Sequence, residues 1–133
     1  MKREELEAFI GEYFSEKAEY PFASSPDTAI FRHSDNRKWF AAVMNVPPEK
    51  LGLYGKRNVD IVNLKCDPLL TASLYNEGGI FPAYHMNKEK WISILLDDSV
   101  DEDKLKWLVS LSFDLTGKKI VKNPKTKKVR HNK

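Results

Sequence analysis

A histidine, an asparagine and two lysines cluster in Tyr84-His85-Met86-Asn87-Lys88-Glu89-Lys90, directly ahead of Trp91 and an apolar run. A histidine does acid–base work only with a nucleophile or carboxylate within hydrogen-bond reach. It ligates a transition metal only beside further donors. His33 and Cys66 are the other such donors in residues 1–117, and the three lie far apart, without HxH, HxxxH or CxxC spacing. The serines fall in no GxSxG elbow, and neither a Walker loop nor GxGxxG is present. Cys66 adjoins a helix start, which can lower a thiol pKa, but the position equally suits a small packed residue at a strand end. The residues therefore assign His85 and Asn87 to backbone hydrogen bonds at the entry to the Trp91 strand. They support neither an enzyme nor a bound cofactor.

Charge is more informative. Residues 118–133 hold eight basic side chains and no acid. The remaining 14 of the 22 basic residues and all 19 acidic ones fall in residues 1–117, a net of −5. The basic character thus belongs to the tail, and a polyanionic partner becomes a question of where the body's cations gather. A single cysteine rules out an intramolecular disulfide. No apolar stretch approaches a membrane span. The expectation is a cytoplasmic monomer without membrane association or an obligate protein partner.

The elements that must position these groups follow from periodicity. Leu6, Phe9, Ile10, Tyr13 and Phe14 form a helical stripe that predicts a helix over 2–18. Glu5, Glu12, Glu16 and Glu19 then share one flank, where carboxylates could offer oxygen ligands to a cation. Two apolar runs around "HSDNRK" read as a β-hairpin. "VDIVNLKC" is apolar on much of both faces, as an inner strand would be. Asp67, Pro68 and Gly78-Gly79 bracket a short helix. Pro82 marks an edge strand. Ser99 to Glu102 matches a capping box opening a helix to Thr116, with Leu105, Leu108, Val109, Ser112 and Leu115 inward. Strands are expected over 29–33, 38–46, 58–65, 80–84 and 90–96. Trp39, Trp91 and Trp107 could stack bases, although aromatics at such positions ordinarily pack in a core. The fold class is α+β, a two-layer, largely antiparallel five-stranded sheet with two long helices on one face and a short helix between strands. Residues 1–117 form the domain, and 118–133 a basic tail expected to be mobile.

The segments "KWFA", "NLKCDP" and "YHMNK..W", in that order, resemble the MmcQ/YjbR family from the first helix to about residue 117. Ala83 stands where that pattern has glycine, Ile92-Ser93 where it has Asn-Thr, and Phe113 where it has tyrosine. The resemblance implies a fold like that of frataxin and its bacterial relative CyaY. It also implies a double-wing DNA-binding role, and it brings no catalytic residues. Alanine at 83 suggests that the backbone there does not need a positive φ.

Two functional readings follow. In the first, the protein binds nucleic acid, most naturally DNA, without catalysing a reaction. Its phosphate contacts in the body would come from Arg32, Arg37, Lys38, Lys56, Arg57, Lys65, His85, Lys88 and Lys90. Lys118, Lys119, Lys122, Lys125, Lys127, Lys128 and Arg130 would add affinity without specificity. In the second, a frataxin-like protein holds a metal or docks a partner through Glu5, Glu12, Glu16 and Glu19. The position of these charges on the fold separates the two.

Overall fold

A computed structural model describes residues 1–118. The tail candidates Lys119, Lys122, Lys125, Lys127, Lys128 and Arg130, and the expected mobility of the tail, lie outside the described residues. The chain runs α1 (Arg3–Phe14), β1 (Ala29–Arg32), β2 (Trp39–Val46), a 3-10 turn (Pro48–Leu51), β3 (Val59–Lys65), α2 (Pro68–Tyr75), β4 (Ile80–Pro82), β5 (Trp91–Leu95) and α3 (Glu102–Thr116). The strands form one sheet in the order β1-β2-β3-β5-β4, and every neighbouring pair is antiparallel. As expected, β3 lies at the centre and the proline-bearing β4 at an edge.

Alternation along the strands decides what each face carries. Val43, Val62, Ile94 and Ile80 stand in cross-strand register and form a row across the sheet. They pack in one buried cluster with Leu6 and Ile10 of α1 and Leu105, Leu108 and Val109 of α3. Both long helices therefore cover the same face, because two apolar helical stripes need one shared apolar surface. Met44, Ile61, Asn63, Ser93 and Leu95 alternate with that row and point to the opposite face. There a smaller cluster of Val46, Ile61 and Leu95 is sheltered by Leu51, Leu53, Phe81 and Tyr84 rather than by a helix. Among the described residues no helix is long and apolar enough to cross a membrane.

Three local expectations need correction. The first helix stops at Phe14, four residues early, where Ser15 turns left-handed at φ 57°. Phe14 is held against Phe113 and Phe40, with ring centroids 4.6 and 5.6 Å away. Glu19 then pairs its backbone with Ile30 beside β1, at 2.9 and 2.8 Å. The next helix cap is Asp101, not Ser99: its carboxylate accepts from the N–H groups of Asp103 and Lys104 at 3.1 and 3.2 Å. Ser99 bonds Asp97 instead. At the far end of α3, Leu115 is exposed and Thr116 is the buried residue.

Thr116 is buried because the β1–β2 hairpin docks on it. Its hydroxyl donates to Ser112 O at 2.8 Å, so at 2.9 Å it accepts from His33 Nε2. His33 is buried and lies against Phe113, with ring centroids 4.1 Å apart. Asn36 Nδ2 donates to Thr116 O at 2.9 Å, and Asn36 Oδ1 accepts from Lys38 N at 2.8 Å. The end of α3 is thereby fixed to the hairpin tip, and Lys118 follows it in the chain.

Candidate nucleic-acid interface

Residues 84–90 form a wall bolted to the helix-free face of the sheet. Asn63 and Ser93 are fully buried cross-strand partners at the middle of β3 and β5. Tyr84 N donates to Ser93 Oγ at 2.9 Å, and Asn63 Nδ2 donates to Tyr84 O at 2.9 Å. Ser93 Oγ in turn donates to Asn63 Oδ1. Both backbone polar groups of Tyr84 are thus satisfied by side chains rising from the sheet. Asn87 plays its expected turn role: Oδ1 accepts from Glu89 N at 2.8 Å, and its carbonyl accepts from Trp91 N at 2.9 Å. His85 does not. It adopts a left-handed backbone, φ 63°, and lays its exposed ring on Tyr84 at 3.9 Å between centroids. Ala83, by contrast, has no positive φ, as its side chain suggests.

This wall faces a cavity of about 430 Å³ on the helix-free side. Phe22 and Trp39 form the opposite side, meeting edge to face at 5.9 Å. Ile30, Ala42 and Met44 line its floor. The three tryptophans are not core residues. Trp39 and Trp91 are half-buried, and Trp107 is exposed on α3. Leu64 and Cys66 sit in the helix-side core, so Lys65 between them projects to the cavity side, opposite Trp91.

The cations sort by position. Arg32 pairs with Trp39 in the sheet register, Lys65 with Trp91, and Lys88 and Lys90 lie three and one positions ahead of Trp91. Arg37 and Lys38 occupy the hairpin tip, and Lys118 follows the helix end docked there. These seven belong to one end of the sheet. Lys56 and Arg57 precede Val59 at the other end of β3, about 20 Å away at roughly 3.3 Å per residue. Not all of the seven are free. Arg32 and Arg37 share the Glu19 carboxylate at 3.2 and 3.4 Å, and the Arg32 guanidinium stands 5.9 Å from the Trp39 ring centre. Lys88 Nζ donates to Ala83 O and closes its own loop. Lys38, Lys65 and Lys90 form no ion pair among the described residues.

The carboxylate flank does not assemble. Glu5 caps α1, accepting from Lys2 N at 2.9 Å, and Glu12 remains on the helix surface. Glu16 lies beyond the helix end and accepts from Ser34 N and Oγ at 3.0 and 2.7 Å. Glu19 is engaged by the two arginines. Among the described residues no three His, Cys, Asp or Glu side chains are grouped as a metal would require. Cys66 is buried, burial pushes its thiol pKa up, and its N–H donates to Lys90 O at 2.7 Å. It is the packed residue at a strand end.

Sequence comparison matches residues 15–115 to the family model described as YjbR. The chain is 42% identical over 116 residues to the Bacillus subtilis protein named "Uncharacterized protein YyaQ", spanning 87% of this chain and 98% of that one. A crystal structure of a Pseudomonas syringae protein superposes with a TM-score of 0.86 at 42% identity, covering 88% of this chain and all of the other. The Deinococcus radiodurans protein DR2400 shares the fold at a TM-score of 0.66 and 22% identity, over 96% of this chain and 86% of that one.

Proposed function

This chain belongs to the YjbR family, and on that premise we propose that it is a small, non-enzymatic nucleic-acid-binding protein that engages DNA through the hairpin end of its sheet. One observation carries the reading. Arg32, Arg37, Lys38, Lys65, Lys88 and Lys90 gather at the end from which the chain continues into its basic tail. A body with a net charge of −5 thus gathers six of its 14 basic residues at the sheet end beside the close of α3, and the sequence adds eight more from Lys118 on. Exposed Asp35 and Glu89 interleave with the body cations, so the tail supplies most of the affinity and the sheet end supplies orientation. The frataxin-like alternative loses its ridge, since Glu16 and Glu19 leave the helix and each already serves another group. The test is a salt titration of binding to duplex and single-stranded DNA, on the full chain and on a chain ending at Gly117. With about four to six phosphates neutralised, log K falls against log salt with a slope of roughly −4 to −5. Truncation removes most of that slope and leaves weaker binding that depends on DNA structure. A silent truncated protein, with heparin competing as well as every DNA against the full chain, removes the support for this function.

A further inference from the structure

We propose that the cavity on the helix-free face receives one unstacked base of a single-stranded nucleic acid, an inference that rests on the nucleic-acid reading and specifies its ligand. At about 430 Å³ the cavity is ligand-sized, within the roughly 300–1,000 Å³ of small-molecule sites. Trp39, Phe22 and Tyr84 give it three aromatic rings, and Met44 and Met86 add polarizable, adaptable surface. It contains no carboxylate, lysine or arginine. Its polar side chains are Ser24, the hydrogen-bonded Ser25 and Thr28, Asn63, the Tyr84 hydroxyl and the His85 ring. Such an enclosure takes a neutral, flat, hydrogen-bonding group.

Charge lies outside instead. The Arg32 guanidinium stands over the Trp39 ring that forms the cavity wall. Lys65 and Lys90 flank Trp91 on the same end of the sheet. An apolar interior with cations beyond its rim has the polarity of a nucleotide within a strand, a flat base joined to an anionic backbone. A base inside a duplex is stacked and paired and cannot enter, so the occupant comes from a single strand. The wall needs little ordering when the base arrives, because Asn63 and Ser93 already hold Tyr84 by both its backbone groups.

The experiment compares three probes on the full chain at one salt concentration: a twelve-nucleotide oligothymidine, an abasic strand of equal length, and a duplex. Stacking one base changes affinity by about 5- to 150-fold. The base-bearing strand is therefore expected to bind at least fivefold tighter than the abasic one, with quenching of tryptophan fluorescence. Ala42→Leu, which fills the cavity floor, is expected to erase that difference, with circular dichroism confirming the fold. Equal binding of the two single strands by the unmodified protein overturns the inference, and it does so whether or not the variant folds. In that case binding of the abasic strand and the duplex leaves the nucleic-acid reading standing. Failure of all three probes to bind removes both. Thymidine monophosphate that displaces the strand at its own site-normalised affinity assigns the cavity to a free nucleotide and also overturns the inference.

Discussion

Ser93 donates its hydroxyl hydrogen to the side-chain carbonyl of Asn63, its direct partner across β5 and β3, and both residues are shielded from solvent. Among the described strand residues these two are the buried polar ones, and the Tyr84 wall depends on them.

Ser93→Ala therefore leaves Tyr84 N without an acceptor and Asn63 Oδ1 without its donor. Asn63 Oδ1 is fully buried and Tyr84 N part-buried, and losing the partner of a buried polar group costs about 1–3 kcal/mol. Urea unfolding is expected to show a loss of that size with an unchanged slope. Amide exchange at Tyr84 is expected to accelerate more than exchange in β2. Uniform acceleration across the sheet would show that the hydroxyl does not specifically hold the wall.

Cys66 is expected to resist thiol reagents in the folded protein. Its side chain is 2% exposed, and burial raises its pKa, so little thiolate is present at neutral pH. A colorimetric disulfide reagent at pH 8 should label it at the rate of unfolding, and fully in denaturant. Immediate stoichiometric labelling of the native protein contradicts the packing described for the end of β3.

The layer architecture was legible in the sequence because periodicity is a property of whole segments. The Leu6–Phe14 stripe and the Leu105–Val109 stripe each demanded an apolar partner, and the sheet supplied one face for both. Local endings were less legible. Nothing in "YFSEK" announces that Ser15 turns left-handed, because packing of Phe14 on Phe113 and Phe40 decides it. Asp101 won the cap from Ser99 by two residues, a contest between equally good capping types. The site divides in the same way. Lys38, Lys65 and Lys90 were readable as charges, but the separation of Lys56 and Arg57 from them required the strand register. Neither Asn63 nor Ser93 is given a role by the sequence reading, although an asparagine within "DIVNLKC" and a serine within "WISILL" are polar interruptions of inner strands. That interruption is the usable signal, since a buried amide must find partners. The backbone role expected of His85 fails because its ring lies on Tyr84, whose position is set by the distant Asn63 and Ser93.

Asp98 is predicted to carry an acid-labile contribution to stability. Its carboxylate accepts from the Lys2 ammonium at 2.8 Å and also meets the Met1 amino group. The Lys2 hydrogen bond is the larger influence, followed by that of the amino terminus, and together they lower its pKa from 3.8 to about 2. A depressed carboxylate pKa stabilises the fold above the unfolded value, and the contribution is lost as pH falls from about 4 through about 2. Asp98 also holds φ 71°, a conformation asparagine tolerates, so Asp98→Asn removes the charge without straining the turn. The variant is expected to be slightly less stable than the parent at pH 7, and the two melting curves should converge near pH 2. The pair is exposed, so the gap should also narrow in high salt. A gap that persists at pH 2 would assign the effect to something other than the carboxylate charge.

Paired charge reversals distinguish the two ends of the sheet. Lys38→Glu with Lys65→Glu reverses two exposed or half-exposed charges at the hairpin end, neither in an ion pair among the described residues. Lys56→Glu with Arg57→Glu makes the same change of charge at the far end of β3. Net charge is identical in the two double variants, so a nonspecific polyanion effect moves both equally. A partner seated at the hairpin end responds to the first far more than to the second, because screening beyond about 8–10 Å at physiological salt isolates the distant pair. Losing two phosphate contacts should reduce the salt slope by about 2 in the first variant and leave the second within error of the parent. Both variants should melt close to the parent, since surface substitutions of this kind usually change stability by about 0.5 kcal/mol or less. Equal losses in the two would leave the tail as the sole source of binding and the sheet end without a directing role.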